Sequence, residues 1–161
     1  MAVYFISDTH FDHKKVIEYS KRPFASVEEM NETLIKNWNS VVKKEDIVWF
    51  LGDFSLTKVS RMEYFVSRLH GDKRMVLGNH DQYSIKRYQT AGFTFVSRYP
   101  IVLKNKFILS HAPMVQDNDS EFINIYGHVH EKPSIKNEHN ICVCVEQINY
   151  TPIELEIFNK G

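Results

Sequence analysis

"KRMVLGNHD", residues 73–81, runs an apolar segment straight into a glycine, an amide, an imidazole and a carboxylate. A tight turn would account for Gly78 and Asn79, whose backbones accept turn geometry, but it has no need of His80 beside Asp81. The alternative is a loop at a strand end that carries chemistry. The same design stands twice upstream. "AVYFIS" (2–7) is a β-branched and aromatic run ending in "DTHFDH", with Asp8, His10 and His13, and "DIVWFLGD" (46–53) ends in Gly52 and Asp53. Ser26 and Glu29 have capping-box spacing and Val27, Met30, Leu34 and Trp38 share one helical face, which predicts a helix over 27–40. Ser60 and Glu63 open another, with Met62, Phe65, Val66 and Leu69 on its buried face. Strand, polar loop and helix in repetition predict parallel strands with crossover helices, and in such sheets ligands gather beyond the carboxyl ends of the strands.

After residue 92 the texture changes. "FTFVSRYPIVL", "KFILSHAP", "FINIYGHVH", "NICVCVE" and "IELEIF" read as strands separated by short turns, which predicts a largely antiparallel or mixed second sheet packed face to face on the first, with helices outside. No internal repeat, low-complexity segment or linker divides the 161 residues, so residues 1–161 are read as one α/β domain.

Composition narrows the function. Lysine plus arginine equals aspartate plus glutamate at 20 each, so no basic face argues for tight nucleic-acid binding and no acidic tail is present. Nucleic acid remains a conceivable substrate but is not the favoured one. No run approaches membrane-spanning length, and "MAVYFIS" lacks the charged leader of a signal peptide. Cys142 and Cys144 share one strand face, a poor geometry for bridging, and read as apolar filler of a reducing compartment. The expected location is cytoplasmic.

Asp8, His10, Asp53, Asn79, His111, His128 and His130 all follow apolar runs whose ends converge in a sheet. Singly, each has an ordinary explanation: Asp8 and Asp53 as turn or cap residues, His111 as a hydrogen-bonded core histidine, His128 and His130 as neighbours on one strand face. Jointly, those explanations fail. Imidazole, carboxylate and carboxamide without thiolate suit divalent manganese, with iron, zinc, cobalt or nickel as alternatives. Seven ligands exceed one tetrahedral site, and two metals sharing a bridging carboxylate account for them.

The blocks D-x-H (Asp8, His10), G-D (Gly52, Asp53), G-N-H-D (Gly78–Asp81), H (His111) and G-H-x-H (Gly127, His128, His130), in that order, resemble the calcineurin-like metallophosphoesterase family. The resemblance implies a four-layer α-β-β-α sandwich of two mixed sheets with a dinuclear centre at the strand ends. It places Asp8, His10 and His130 on the first metal and Asn79, His111 and His128 on the second, with Asp53 bridging. It makes His80 the catalytic histidine and Asp81 the carboxylate that orients it. "RPF" (22–24) and "INYTPIELEIF" (148–158) are similar to short bacterial and phage members. His13, Lys14, Lys15 and Arg22 are candidates for substrate contact against the plainer reading of a solvated face; His70 and His139 read as surface or packing residues, and Arg87 is unassigned.

The expected activity is hydrolysis of phosphate esters. Two cations would polarise a phosphoryl oxygen and acidify the attacking water, and a histidine titrating near neutrality would protonate the leaving group. No insertion between the motifs is long enough for a cap domain, which predicts an open groove and tilts the expectation toward phosphodiesters of nucleotide type. A phosphomonoesterase, a protein phosphatase, a nuclease and a non-catalytic metal-binding scaffold are the alternatives, and an intact His80 speaks against the scaffold.

Overall fold

The computed structural model describes residues 1–135 and 137–156. Strands β1 (Val3–Ile6), β2 (Ile47–Phe50), β3 (Asp72–Val76) and β4 (Phe95–Ser97) run parallel in one sheet, and β9 (Ile153–Glu154) returns antiparallel beside β1, giving the order β4-β3-β2-β1-β9. The second sheet has the order β5-β6-β7-β8, with β5 (Ile101–Leu103) antiparallel to β6 (Phe107–Ser110), and β6, β7 (Ile123–Tyr126) and β8 (Asn140–Cys142) parallel. Both sheets are therefore mixed, as expected, but the second half of the chain does not build one sheet by itself. The "FTFVSRYPIVL" run splits at Pro100, so that β4 joins the first sheet and β5 the second. The last strand also joins the first sheet; Ile157 and Phe158 of that predicted strand lie outside the described residues.

Side-chain alternation explains the layering. Phe5, Trp49, Leu51 and Val76 project from the first sheet onto Phe107, Leu109, Ile123, Ile125 and Val143 of the second, and all are buried. The opposite face of the first sheet carries Ile6, Val48, Phe50 and Met75 beneath Met30, Leu34 and Trp38 of α2 (Val27–Val41) and Met62, Phe65 and Val66 of α3 (Val59–Arg68). Each such side chain contributes about 1.5–3 kcal/mol of burial, so periodicity alone directs the chain into these layers. Ser26 caps α2 by accepting from the Glu29 amide at 3.1 Å, whereas Glu29 reaches the Ala25 amide at 2.6 Å. Ser60 does not cap α3: the helix begins at Val59 and the N-cap position is Lys58, without a side-chain cap. Two short helices, α1 (Lys14–Tyr19) and α4 (Ile85–Ala91), complete the helical layer.

Over the outer face of the second sheet the fourth layer is loop rather than helix among the described residues. Asn124 and Asn140 are paired neighbours on that face. Asn124 Oδ1 accepts from the Met114 amide at 2.7 Å, and Asn140 exchanges hydrogen bonds with the Gln116 backbone at 2.9 and 2.7 Å. A polar face that satisfies loop amides has no need of an amphipathic helix. At one end the sheets are stitched together: the Ser7 amide donates to Val143 O at 3.0 Å and the Val145 amide to Ser7 O at 3.2 Å. The loops leaving β1, β2, β3, β6 and β7 meet there. No helix among the described residues is long and apolar enough to cross a membrane.

Candidate metal centre

Asp8, His10, Asp53 and His130 bring one ligand atom each within 4.8 Å of one another. His10 Nε2 lies 3.6 Å from Asp53 Oδ2 and 4.0 Å from Asp8 Oδ1, and His130 Nε2 lies 3.6 Å from Asp8 Oδ1. On the other side of Asp53, the same Oδ2 lies 3.5 Å from His111 Nε2. His111 Nε2 is in turn 2.9 Å from Asn79 Oδ1, and His128 Nδ1 is 3.1 Å from that oxygen and 3.2 Å from His111 Nε2. All seven residues singled out in the sequence thus converge, in two groups with Asp53 between them.

The backbone is bent to make this possible. Asp8, His10, Asp53, His128 and His130 all have positive φ, between 49° and 73°. L-residues rarely adopt this region, and such strain gathers where surrounding structure enforces it at functional sites. The motif glycines provide room. A Cβ on Gly78 would run into the Asp53 carboxylate, and one on Gly127 into Asp8 Oδ2 and the Ser7 hydroxyl. Only a hydrogen fits there, which is why glycine precedes Asn79 and His128.

The pocket's electrostatics call for a cation. Asp8 Oδ1 and both ring nitrogens of His10 are buried without a hydrogen-bond partner, a costly arrangement that a coordinated ion would relieve at Asp8 Oδ1 and at His10 Nε2. Burial pushes His10 down to about 2, so the imidazole is neutral and its lone pair available. Burial opposes charge on Asp53 too, yet the adjacent His111 and the His80 amide, which donates to Oδ1 at 2.9 Å, hold it at about 2. Burial likewise works against charge on His111, but Asp53 and Asp8 outweigh it and lift His111 to about 9. Burial pushes the Asp8 carboxyl up, against His111 and His130. The donors are oxygen and imidazole nitrogen, they meet at short range, and the two carboxylates favour a proton on His111. They fit divalent ions, which would displace that proton.

His80 is exposed and its ring stands 5.6 Å from that of His10, at the mouth of the pocket. Asp81 makes no hydrogen bond to its ring among the described residues. Its Oδ2 accepts from the Asp53 and Gly78 amides at 2.6 and 2.8 Å and its Oδ1 from the Phe54 amide at 3.1 Å, so the carboxylate ties the loops after β2 and β3 to each other. Burial, the main cause, pushes Asp81 up to about 6 against those amides. The physical reason is competition: the amides of Asp53, Phe54 and Gly78 already occupy both oxygens of the carboxylate.

Arg22 is also not a surface residue free for substrate. Only 4% exposed, it donates to Thr9 O, Asp8 O and Glu146. His13 does line a cleft of about 300 Å³ with Tyr19, His80, His128 and Lys132. A second cleft of about 420 Å³, lined by Ser55, Thr57, Lys58, Gln82 and Tyr83, reaches His80 from the other side. Cys144 is more than filler: its thiol donates to Asp8 Oδ2 at 3.4 Å, while both cysteines are free. Glu146 was not marked by any sequence motif. It follows the "NICVCV" strand as one more carboxylate after an apolar run, and that signal was available.

The model of the calcineurin-like phosphoesterases matches residues 1–159. The chain belongs to this family. The uncharacterized protein MJ1445 of Methanocaldococcus jannaschii is 39% identical over 98% of this chain and 89% of its own length, and the gene 66 protein of Mycobacterium phage L5 is 34% identical over 84% and 80%. The crystal structure of the Aquifex aeolicus protein AQ665, of unknown function, superposes with a TM-score of 0.74 at 28% identity over 99% of this chain and 98% of that one. The Pseudomonas putida nuclease MPE shares the fold at a TM-score of 0.55 and 20% identity, over 80% of this chain and 61% of that one. Family and site geometry together support a metal-dependent phosphoesterase that uses divalent ions.

Proposed function

We propose that this calcineurin-like phosphoesterase holds two divalent ions, manganese first among them, and hydrolyses phosphate esters with a preference for diesters. Asp8, His10 and His130 hold one ion, Asn79, His111 and His128 the other, and Asp53 bridges. The observation that carries the reading is the position of Asp53 Oδ2, 3.6 Å from His10 Nε2 and 3.5 Å from His111 Nε2, so that one carboxylate oxygen serves both groups. When bound, the ions would supply positive charge to the phosphoryl oxygens and acidify the attacking water. His80 stands exposed at the mouth with its ring edge-on to that of His10, placed to give a proton to the leaving oxygen. Asp81 and the Asp53 carboxylate fix the backbone that carries it. The two clefts that meet at His80 favour a phosphate substituted on both sides.

The test is a turnover panel with manganese: bis(nitrophenyl) phosphate, a cyclic nucleotide, a short single-stranded oligonucleotide, nitrophenyl phosphate and a phosphopeptide. The diesters are expected to show the higher kcat/KM. Clear preference for monoesters across several leaving groups would remove the diesterase reading and leave the phosphoesterase one.

A further inference from the structure

Behind His130, on the side away from Asp8, lies a buried ion pair that the metal motifs do not include. His130 Nδ1 donates to Glu146 Oε1 at 3.0 Å. Arg22 donates to the same oxygen through Nε at 2.9 Å and Nη2 at 2.7 Å. The guanidinium does not stop there: Nη2 also donates to Asp8 O at 2.7 Å and Nη1 to Thr9 O at 2.8 Å. The side chains of Arg22 and Glu146 are 0% and 4% exposed. Glu146 sits on the 3-10 turn Val145–Gln147, and its neighbour Gln147 donates to His130 O at 2.7 Å, so the same turn grips the ring and the backbone of one residue.

We propose that Glu146 and Arg22 are positioning residues of the metal centre. Glu146 fixes His130 as the Nδ1-protonated tautomer with Nε2 turned to Asp8, and Arg22 locks that carboxylate to the Asp8 backbone. The inference rests on His130 being a ligand, as proposed above, and adds what makes it one.

A neutral imidazole has one lone pair, and it must be on the nitrogen that faces the ion. With Nδ1–H committed to Glu146, that nitrogen is Nε2, 3.6 Å from the unpartnered Asp8 Oδ1. Asp8 itself holds a φ of 60°, a conformation that needs support, and Arg22 grips its carbonyl. One guanidinium thus links the two residues, Asp8 and His130, that would hold the first ion.

Manganese titration calorimetry on the wild type, Glu146→Gln, Arg22→Lys and His130→Ala, with thermal unfolding as a check on folding, tests this. Glu146→Gln, nearly the same shape, is expected to weaken the tighter manganese site roughly 10–100-fold and leave the weaker one unchanged, with a smaller loss for Arg22→Lys. On the unmutated, zinc-loaded protein, long-range proton–nitrogen spectra should find the His130 proton on Nδ1; a proton on Nε2 overturns the proposal without any variant. If His130→Ala loses the tighter site while Glu146→Gln binds as the wild type does, Glu146 does not position the ligand. If His130→Ala binds both ions normally, the metal-centre reading itself falls, and this proposal with it.

Discussion

Asp8, His10 and Asp53 are each 2% exposed or less, whereas Asn79, His80 and His128 stand in solvent at neighbouring strand ends. The buried half has charged groups packed behind it in Arg22 and Glu146, and a thiol on Asp8. The second half, exposed except for His111, is held more lightly: His111 Nδ1 donates to Leu51 O at 2.8 Å, and Asn79 lies against two imidazoles. Charge follows the same division. On the proposed assignment the buried ion meets Asp8 and the bridge, and the other meets only the bridge and neutral donors. Ligand charge and rigidity both raise affinity, so on that assignment one half would retain its ion and the other would exchange it and face substrate.

Removing what the halves share should cost most. Asp53→Asn is expected to release both ions, by metal analysis, and to lower kcat/KM by more than the 10²–10⁴-fold that loss of a proton donor brings. Full occupancy with normal turnover would break the comparison by removing Asp53 from the bridge. His80→Ala should keep both ions and lose on the order of 10²–10⁴ in rate for alkyl esters, but much less for nitrophenyl esters, whose leaving groups need no proton. Equal losses for both would make His80 a binding residue. Graded chelation, followed by metal content, should empty the sites in two steps separated by about tenfold or more in affinity. A single step would show that burial and charge do not divide the centre.

Much of this was legible in the residues because chemistry and geometry demanded the same thing. Asp8, Asp53 and Asn79 each follow an apolar strand, and parallel strands carry their carboxyl ends to one edge, so linear order foretold convergence. Met62, Phe65, Val66 and Leu69 likewise announced the buried face of α3 by spacing alone. What escaped was long-range and satisfied by backbone. Arg22 read as a surface cation because nothing local shows that Asp8 O, Thr9 O and Glu146 surround it. Asp81 read as the partner of its neighbour His80, whereas its acceptors are spent on amides 27 and 28 residues away. The loop layer over the second sheet was hidden in Asn124 and Asn140, whose role depends on which backbone lies above them.

The smallest effect is expected where the buried half is braced from outside. Arg61, on α3, donates to Asp12 through Nε at 2.7 Å and Nη2 at 3.0 Å, and Asn31, on α2, donates to the same carboxylate at 2.8 Å. This ties both helices to the β1 loop two residues beyond His10. The Arg61 side chain is 46% exposed, so solvent screens the pair and its contribution is small. The hydrogen bond from Arg61, ahead of other causes, holds the Asp12 carboxyl below its usual value. A depressed carboxyl stabilises the fold fully above its unfolded pKa of about 3.9, and the contribution disappears as pH falls through the folded value. Arg61→Ala should therefore be less stable than the wild type in urea at pH 7, and the difference should close as pH drops below about 4. Because the brace touches no candidate ligand, manganese affinity should change far less than in Glu146→Gln. A loss of the tighter ion as large as that variant's would mean that the outer brace, and not the buried pair, is what holds the first half together.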